Sequence, residues 1–262
     1  MRFDVFTLFP GVFSPYINTS ILQRAVSNGL VNIALHDIRQ WASDKHHTTD
    51  DIPYGGGGGM VMKPEPIFAA VESVLGSPPQ CPLILLTPQG KPFNQAEAER
   101  LSEYERIGLL CGRYEGVDER IREHLASEEL SIGDFVLSGG ELPALMVIDA
   151  VARLLPGVLG DPEGAADDSF SSQLLEYPHY TRPPNFRGWG VPETLVSGNH
   201  AAINLWRRQQ ALLRTLSRRP DLLLKADLDK KDVRFLQETI AQNNLEIPEQ
   251  LRLKINPSRS KS

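Results

Sequence analysis

Apolar positions up to Gly160 follow two patterns in alternation, short continuous runs and longer segments with helical spacing. The short runs predict buried strands at Arg2–Phe9, Val31–His36, Leu83–Thr87, Ile107–Cys111 and around Ile132–Leu137. The helical spacing predicts helices at Phe13–Asn28, Pro64–Leu75, Asn94–Glu105, Val117–Ala126 and Glu141–Leu155. Strands that alternate with helices predict an α/β fold with a parallel sheet.

The pattern changes after Gly160, where the strand-like runs end. Asp161–Ala166 has the composition of a linker, and helical spacing dominates beyond it. Helices are predicted over the run SFSSQLLEY from Ser169, over Ala201–Leu216, over Lys230–Asn243 and after Pro248. The sequence therefore predicts an α/β domain at 1–160, an interdomain linker at 161–172, and a small all-helical domain at 173–262 with a polar tail.

The composition is that of a globular protein of the cytoplasm. Of the 262 residues, 41% are hydrophobic and 23% are charged, and no apolar run approaches transmembrane length. Met1 leads directly into a strand-like segment, so we expect no signal peptide. Cys81 and Cys111 each border an apolar run, which is typical of buried thiols in a reducing compartment. We therefore expect a cytoplasmic protein without a membrane partner.

Charge is distributed unevenly along the chain, although the net charge is only −6. Within Glu97–Glu141 twelve acidic residues outnumber five arginines, whereas within Pro178–Arg219 seven arginines accompany a single acid, Glu193. An uneven distribution of this kind allows one part of the chain to bind an anionic partner. On the helix predicted in the basic segment, arginines and an aromatic ring suit phosphate contact and base stacking, and a solvated helix face is the alternative.

Two glycine-bearing turns, Gly112–Gly116 and Ser138–Gly140, follow strand-like runs, and a third turn, Thr87–Gly90, follows the run before them. Loops at the carboxyl ends of parallel strands form ligand sites, and glycine lets the main chain approach a ligand closely. Neither GxxxxGK[ST] nor GxGxxG occurs after a strand. The pattern therefore suits an adenosine-like ligand held by main-chain amides and carbonyls, and ordinary turns are the alternative.

Four further features each have two interpretations. The glycine run Gly55–Gly59 is either a passive linker or a flap over a bound ligand. His46–Asp51 has the residue types of a metal site, but without a cysteine or a helical histidine pair a solvated loop is favoured. Asp167 and Asp168 are either helix caps or proton acceptors. Arg153 is either a surface residue or a cation that stabilises a developing oxyanion.

Several long motifs occur together and in order along the chain: FTLFP at 6–10, YGGGGGM, LTPQG, CGRYEGVDER, SIGDFVLSGGE, DDSF, LLEYPHYTRP and SGNH. By these motifs, residues 1 to about 250 resemble the bacterial tRNA (guanine-N(1)-)-methyltransferases of the SPOUT class. One departure is Gly58, because the glycine loop of that family usually carries proline there (GGGPGM).

The resemblance implies a parallel α/β sheet with a deep trefoil knot, an exception to the rule that protein chains do not thread loops. It also implies S-adenosylmethionine as the methyl donor, held by three loops of the knot. The implied cofactor contacts are Leu85, Leu86, Thr87, Pro88, Gly112, Tyr114, Glu115, Gly116, Ile132, Gly133, Asp134, Phe135, Val136, Leu137, Gly139, Gly140 and Pro143.

The resemblance further implies a homodimer that binds tRNA between the knot of one subunit and the helical domain of the other. The candidate substrate contacts are Gly58, Gly59, Ser169, His179, Arg182, Ser197, His200, Arg207, Arg208 and Arg214. The family also implies a response to Mg²⁺, although no compact motif in this chain provides a set of metal ligands.

The implied reaction is methylation of N(1) of the guanine immediately 3′ of the anticodon, which supports reading-frame maintenance. Asp168 is then the expected general base, with Asp167 as the neighbouring alternative, and Arg153 stabilises the negative charge that develops on guanine O(6). Two other functions remain open from the sequence: a SPOUT methyltransferase that acts on another RNA, and a tRNA-binding protein without catalytic activity.

Overall fold

The computed structural model describes residues 1–160 and 168–256, and the chain divides into two compact units, Met1–Pro162 and Glu163–Ser262. The strands of the first unit are β1 (Arg2–Thr7), β2 (Asn32–Asp37), β3 (Asp50–Asp51), β4 (Val61–Met62), β5 (Leu83–Pro92), β6 (Arg106–Cys111) and β7 (Glu128–Ser131). Its helices are α1 (Ser14–Ile17), α2 (Ser20–Ser27), α3 (Pro64–Leu75), α4 (Gln95–Ser102), α5 (Glu119–His124) and α6 (Glu141–Ala152). Five strands form one parallel sheet in the order β2-β1-β6-β5-β7, which confirms the predicted α/β class.

The five-stranded sheet lies between two hydrophobic clusters, because successive strand residues point to opposite faces. On β6, Leu109 belongs to one cluster and Leu110 to the other. Helices α2, α4 and α6 pack into the cluster that contains Leu109, and α3 and α5 pack into the cluster that contains Leu110. With both faces covered, the carboxyl ends of the strands are the edge where loops can form a ligand site.

The buried carboxylate of Asp4 anchors β1 to the neighbouring strands. Arg2 Nη2 and His36 Nε2 each lie 2.8 Å from its Oδ1, and Arg106 Nε lies 2.8 Å from its Oδ2. Burial opposes ionisation of this carboxyl, but hydrogen bonds from His36, Arg2 and Arg106 outweigh it and lower the pKa of Asp4 below its usual value. The carboxylate therefore joins β1, β2 and β6 through charge-assisted hydrogen bonds.

Strand β5 is longer than predicted because its register against β7 shifts between Leu86 and Lys91. The extra residues form the turn at 87–90, after which Lys91 and Pro92 pair with Leu130 and Ser131 of β7. Gly90 allows β5 to lie this close to β7, since a Cβ on it would be 2.5 Å from the carbonyl carbon of Glu129.

Two predictions for the first unit are wrong. Ile132–Leu137 is a loop, because the strand ends at Ser131 and Gly133 adopts φ 145°. The apolar residues of this loop have the pattern of a buried strand, but Val136 is 84% exposed. The helix predicted at Phe13–Asn28 is split into α1 and α2, with Ser20 at φ 53° where α2 begins.

The described part of the second unit is mostly helical. Its helices are α7 (Glu193–Val196), α8 (His200–Arg218), α9 (Pro220–Leu223), α10 (Lys230–Asn243) and α11 (Glu249–Ile255). They enclose a separate core that includes Leu212, Leu236 and Leu251. A two-stranded antiparallel hairpin, β8 (Asn185–Phe186) and β9 (Trp189–Gly190), is also present, so the prediction that every element is helical is wrong.

The run from Ser169 to Tyr177 is also not the predicted helix. Phe170 and Gln173 have φ 78° and 58°, which interrupts a helical path. The backbone N–H of Leu175 donates instead to Thr215 Oγ1 at 2.8 Å. Asp168 therefore begins a series of turns, while Asp167 and the predicted linker Asp161–Ala166 lie outside the described residues.

Candidate active site

A cavity of about 250 Å³ lies at the carboxyl ends of β5, β6 and β7. These strands are neighbours in the sheet, so the loops that leave them converge. All of the residues predicted to bind the cofactor line this cavity except Asp134. The sequence analysis did not select several other lining residues, which are Gln89, Arg113, Val117, Arg122, Leu130, Ser131 and Ser138.

The irregular stretch of β5 at 87–90, the loop after β6 at 112–116 and the loop after β7 at 132–140 are called the first, second and third loops. Two glycines of the third loop lie in close contact with the second loop. A Cβ on Gly140 would lie 2.7 Å from Cys111 Cα, and a Cβ on Gly139 would lie 2.2 Å from Arg113 Nε. The backbone N–H of Gly140 donates to the Gly112 carbonyl at 2.9 Å. At Gly140 the third loop therefore contacts the second loop through main chain, as the glycine pattern predicts.

Below this wall lies the thiol of Cys111, which is fully buried at the end of β6. Burial raises the pKa of Cys111 well above its usual value, and the nearby Glu141 carboxylate raises it further. The thiol therefore stays protonated and acts as a small packing group. Cys81 differs from the prediction in being only partly buried.

Arg113 links the second and third loops through its side chain. Its Nε lies 3.0 Å from Glu141 Oε2, and its Nη1 donates to the Ser138 carbonyl at 3.1 Å. Thr7 Oγ1 donates to Glu141 Oε1 at 2.8 Å, and the Arg113 guanidinium lies over the Phe9 ring at 4.4 Å. These contacts thus connect β1, the loop after β6 and the start of α6.

The glycine run leads into the cavity wall. Downstream of it, the Met62 N–H donates to the Gly116 carbonyl at 2.9 Å, and the Glu115 N–H donates to the Met60 carbonyl at 3.0 Å. A Cβ on Gly59 would lie 2.4 Å from Glu115 Oε1. The run therefore ends against the second loop. Within it, Gly58 differs from the other glycines because its φ is not positive.

Tyr114, at the turn of the second loop, has φ 60° and lines the cavity. Burial raises its pKa, and the nearby Asp50 carboxylate adds to the rise, whereas Arg39 and Arg113 oppose it. The phenol therefore stays protonated at neutral pH and can donate a hydrogen bond.

At the outer edge of the cavity, Arg122 Nη1 donates to Gln89 Oε1, and Arg122 Nε lies 3.5 Å from Glu129 Oε2. These groups join α5, the turn within β5 and strand β7. In the sequence Arg122 is one of several charged residues on a short helix, so no pattern separates it from the solvated ones.

Arg153 caps the carboxyl end of α6, whereas Gly140 and Pro143 line the cavity at its amino end. At the helical rise of 1.5 Å per residue, Gly140 and Arg153 are separated by roughly 20 Å along the axis. Arg153 lies near Tyr16, because its charge opposes a rise in the pKa of that phenol caused by burial and by Asp149. The structure therefore does not bring Arg153 to this cavity.

Asp168 lies in the second unit, where it lines a cavity of about 440 Å³ together with Arg207, Arg208 and other residues. The Arg207 guanidinium lies over the Tyr177 ring at 4.9 Å. Arg207 Nε is buried without a hydrogen-bond acceptor. Asp168 and two of the predicted tRNA contacts therefore share one recess.

Other predicted substrate contacts already bind protein groups. Arg208 Nη2 lies 2.7 Å from Asp232 Oδ2, and Arg214 Nη1 donates to the Glu176 carbonyl at 3.1 Å. His179 Nε2 lies 2.6 Å from Glu176 Oε1, and Ser197 Oγ donates to Thr194 O at 2.8 Å. The exposed contacts include Arg182 in the loop before the hairpin, Ser197, and His200 at the start of α8.

Within 1–160 and 168–256, no group of three or more His, Cys, Asp or Glu side chains is placed to hold a metal ion. His47 of the candidate cluster instead has Nδ1 3.0 Å from the Arg39 carbonyl. Among the helices described, none is long and apolar enough to cross a membrane.

A cavity lined by loops at the carboxyl edge of a parallel sheet is typical of α/β enzymes that bind a small cofactor. The family model described as tRNA (Guanine-1)-methyltransferase TrmD matches residues 1–225. This chain belongs to that family.

Individual relatives agree with this assignment. The tRNA (guanine-N(1)-)-methyltransferase of Dehalococcoides mccartyi strain BAV1 is 57% identical over 245 residues, which cover 93% of this chain and 99% of the relative. That of Moorella thermoacetica is 58% identical over 240 residues, covering 91% and 96%. That of Thermomicrobium roseum is 58% identical over 238 residues, covering 90% and 88%.

Proposed function

We propose that the protein transfers the methyl group of S-adenosylmethionine to N(1) of the guanine immediately 3′ of the anticodon in tRNA. The main support for the proposal is the cavity formed by three glycine-bearing loops in a chain of the tRNA (Guanine-1)-methyltransferase family. Such a cavity suits a nucleoside cofactor because amides and carbonyls can bind the base and ribose in a fixed orientation.

The cavity residues fit S-adenosylmethionine. Gly139 and Gly140 keep the wall open where a Cβ would collide with the second loop. Leu85 and Pro143 offer apolar contacts to an adenine ring. When bound, the cofactor supplies an electrophilic methyl group attached to a sulfonium. The loops hold it in place and exclude water from one side.

Asp168 is the proposed general base. Guanine N(1) carries a proton at neutral pH and becomes nucleophilic only as that proton leaves, so a carboxylate within hydrogen-bond reach accelerates the reaction. Proton loss moves negative charge onto guanine O(6). A fixed arginine next to that oxygen stabilises the charge, and Arg153 is the proposed cation.

The separation along α6 supports a homodimer. Because Arg153 lies roughly 20 Å from Gly140 along the helix, it can act on a guanine beside the cofactor only at the pocket of a second subunit. The outer face of α6 suits a subunit contact, since Leu142 and Met146 are 56% and 50% exposed. Apolar surface of this kind is typical of obligate dimer interfaces.

A trefoil knot is the proposed path of residues 60–140. The segment after the glycine run pairs with the second loop through Met62 and Gly116, while the third loop pairs with the same loop through Gly140 and Gly112. The second loop therefore lies between two segments that precede and follow it in sequence. These contacts bring together the three segments that the proposed knot involves, and the knot itself rests on the family resemblance.

The basic segment is the proposed tRNA surface, and the helical second unit carries it. Its arginines would neutralise backbone phosphates, which supplies affinity that weakens as salt increases. One recess is lined by Asp168, Arg207 and Arg208, and this lining supports substrate binding there. A requirement for Mg²⁺ rests on the family resemblance alone. We propose it as an ion shared with RNA phosphates, to be tested by titration with a chelator.

The function is tested by incubating the protein with radiolabelled S-adenosylmethionine and unmodified tRNA, followed by mapping of the modified base. We expect label only at N(1) of the guanine 3′ of the anticodon. Replacing that guanine with adenine should abolish incorporation. Continued labelling of that tRNA, or labelling of ribosomal RNA, would assign another RNA substrate. Binding of tRNA without any methyl transfer would assign a binding protein.

A further inference from the structure

The hairpin of β8 and β9 presents two aromatic rings to solvent. Phe186 and Trp189 are directly paired across the strands, and their ring centroids are 6.2 Å apart. Phe186 is 53% exposed and Trp189 is 70% exposed. Neither ring belongs to the hydrophobic core around Leu212 and Leu236, so packing within the described second unit does not explain this pair.

Arg187 completes the tip of the hairpin. Its guanidinium carbon lies over the Phe186 ring at 5.2 Å, which is a cation–π contact. Arg187 and Gly188 form the two-residue turn with φ 55° and 86°. Such turns favour asparagine and glycine, so an arginine at positive φ costs conformational energy. The cation is held beside the rings although the local backbone does not favour it.

The charge around the hairpin favours an anionic occupant. The hairpin lies within Pro178–Arg219, where seven arginines accompany only Glu193. Two exposed rings beside a guanidinium match unpaired nucleotides, because every base offers an aromatic face and each nucleotide carries a phosphate. An A-form duplex does not match, since its base faces are stacked and hidden.

We propose that the tip of the hairpin, Phe186, Arg187 and Trp189, is a stacking site for an unpaired base of the bound RNA, with Arg187 on an adjacent phosphate. This inference rests on the proposed function, because it assigns one contact to the tRNA of that reaction. The hairpin positions RNA and does not take part in methyl transfer.

The test uses the full-length protein and fluorescence anisotropy with two labelled probes. One probe is an anticodon stem-loop RNA with guanine 3′ of the anticodon, and the other is a duplex of the same stem without a loop. We expect Trp189→Ala to raise Kd for the stem-loop by roughly 5- to 150-fold and to change duplex binding little. Trp189→Phe should restore most of the affinity, because it keeps an aromatic face.

Arg187→Gln should have a different signature. Losing one phosphate contact to a single strand should lower the slope of log K against log salt by about 0.7 in magnitude. For both Trp189→Ala and Arg187→Gln, KM for tRNA should rise while kcat at saturating tRNA and the affinity for S-adenosylmethionine stay unchanged. Leu253→Ala is the matched control, since Leu253 is also an exposed apolar residue of the second unit. It should change none of these quantities.

Unchanged stem-loop affinity in Trp189→Ala and Arg187→Gln would overturn the inference. So would a shift of oligomeric mass in Trp189→Ala, measured by light scattering, with intact RNA affinity, because the rings would then contact another protein subunit. Failure of the proposed function would give a different result, because the unsubstituted protein would then not methylate tRNA. A stem-loop affinity that still depends on Trp189 would in that case support the stacking site alone.

Discussion

Arg113 and Glu141 share one guanidinium hydrogen between two carboxylate oxygens, with Arg113 Nε 3.2 Å from Glu141 Oε1 and 3.0 Å from Oε2. The Glu141 side chain is only 3% exposed, and that of Arg113 is 23% exposed. The pair lies at the cavity, which Arg113 lines. Since both partners are largely removed from water, each depends on the other for compensation of its lost hydration.

We expect Arg113→Met to lower the free energy of unfolding by roughly 3 kcal/mol, because it leaves the buried Glu141 carboxylate without its cation. Glu141→Gln should restore part of this loss in the double variant. The measurement is urea unfolding of both single variants and the double variant, analysed as a thermodynamic cycle. Purely additive effects would show that the ion pair does not hold the two loops together.

Gly140→Ala should weaken S-adenosylmethionine binding at least tenfold, as measured by calorimetry. The new Cβ would lie 2.7 Å from Cys111 Cα, so the third loop must move away from the second. Overpacking of this kind costs about 1–3 kcal/mol. Gly11→Ala is the control, because a Cβ on Gly11 would have no atom within 4 Å and the φ of this residue is not positive. Equal affinities in the two variants would contradict a main-chain wall.

Asp168→Asn should lower kcat by about 10²- to 10⁴-fold, the range expected when a general base is removed. Affinity for S-adenosylmethionine should not change, because Asp168 does not line the first cavity. Single-turnover kinetics with unmodified tRNA provides the measurement. Asp221→Asn, at an exposed carboxylate paired with Arg219, is the control. Near-normal turnover in Asp168→Asn would remove this residue from the mechanism.

Mixed dimers can test whether Arg153 serves the pocket of the partner subunit. One subunit carries Arg153→Ala and the other carries Gly140→Ala, with two affinity tags to isolate the mixed species. If Arg153 acts across the dimer, one of the two sites combines an intact pocket with an intact arginine. We therefore expect about half of the normal turnover per dimer, although each variant homodimer is nearly inactive. A mixed dimer without activity would mean that Arg153 acts within its own subunit.

Acid should selectively remove the stabilisation that Asp4 provides. Its pKa is lowered in the folded protein, so its contribution is complete above the unfolded value of about 3.9 and declines as pH falls below it. Asp4→Asn should therefore cost roughly 3 kcal/mol at pH 7 and progressively less below about pH 4. Urea unfolding midpoints across pH give the comparison, and Asp221→Asn should show little effect at either pH. A difference independent of pH would exclude an ionic origin.

The sequence predicts elements well where one face is buried over several turns. The bounds predicted for α3 and α10 agree with the structure, and Asn94 caps α4 by accepting from the Glu97 N–H. The three loops at the strand ends were also predictable, because glycine there reports close approach of main chain. Periodicity reflects burial, and these features depend mainly on burial or on backbone geometry.

Other features depend on tertiary partners that periodicity does not report. The apolar residues of Ile132–Leu137 have the sequence pattern of a buried strand, but they line a cavity or face solvent. The run from Ser169 has helical spacing, but the Leu175 N–H donates to Thr215 Oγ1 on α8 instead of to the preceding turn. Arg122 contacts Gln89 at the cavity edge, and Gln89 lies where the register of β5 shifts against β7. The distance between Arg153 and the pocket likewise follows from the orientation of α6.

Thr7 and Glu141 are 134 residues apart in sequence, yet their side chains share a hydrogen bond beside the pocket. During synthesis, the amino-terminal strand leaves the ribosome long before Gly140 and Pro143 are added. A nascent chain therefore cannot complete this cavity until nearly all of the first unit has emerged. Because a ligand stabilises only the state that binds it, newly made protein must pass through this interval without that protection.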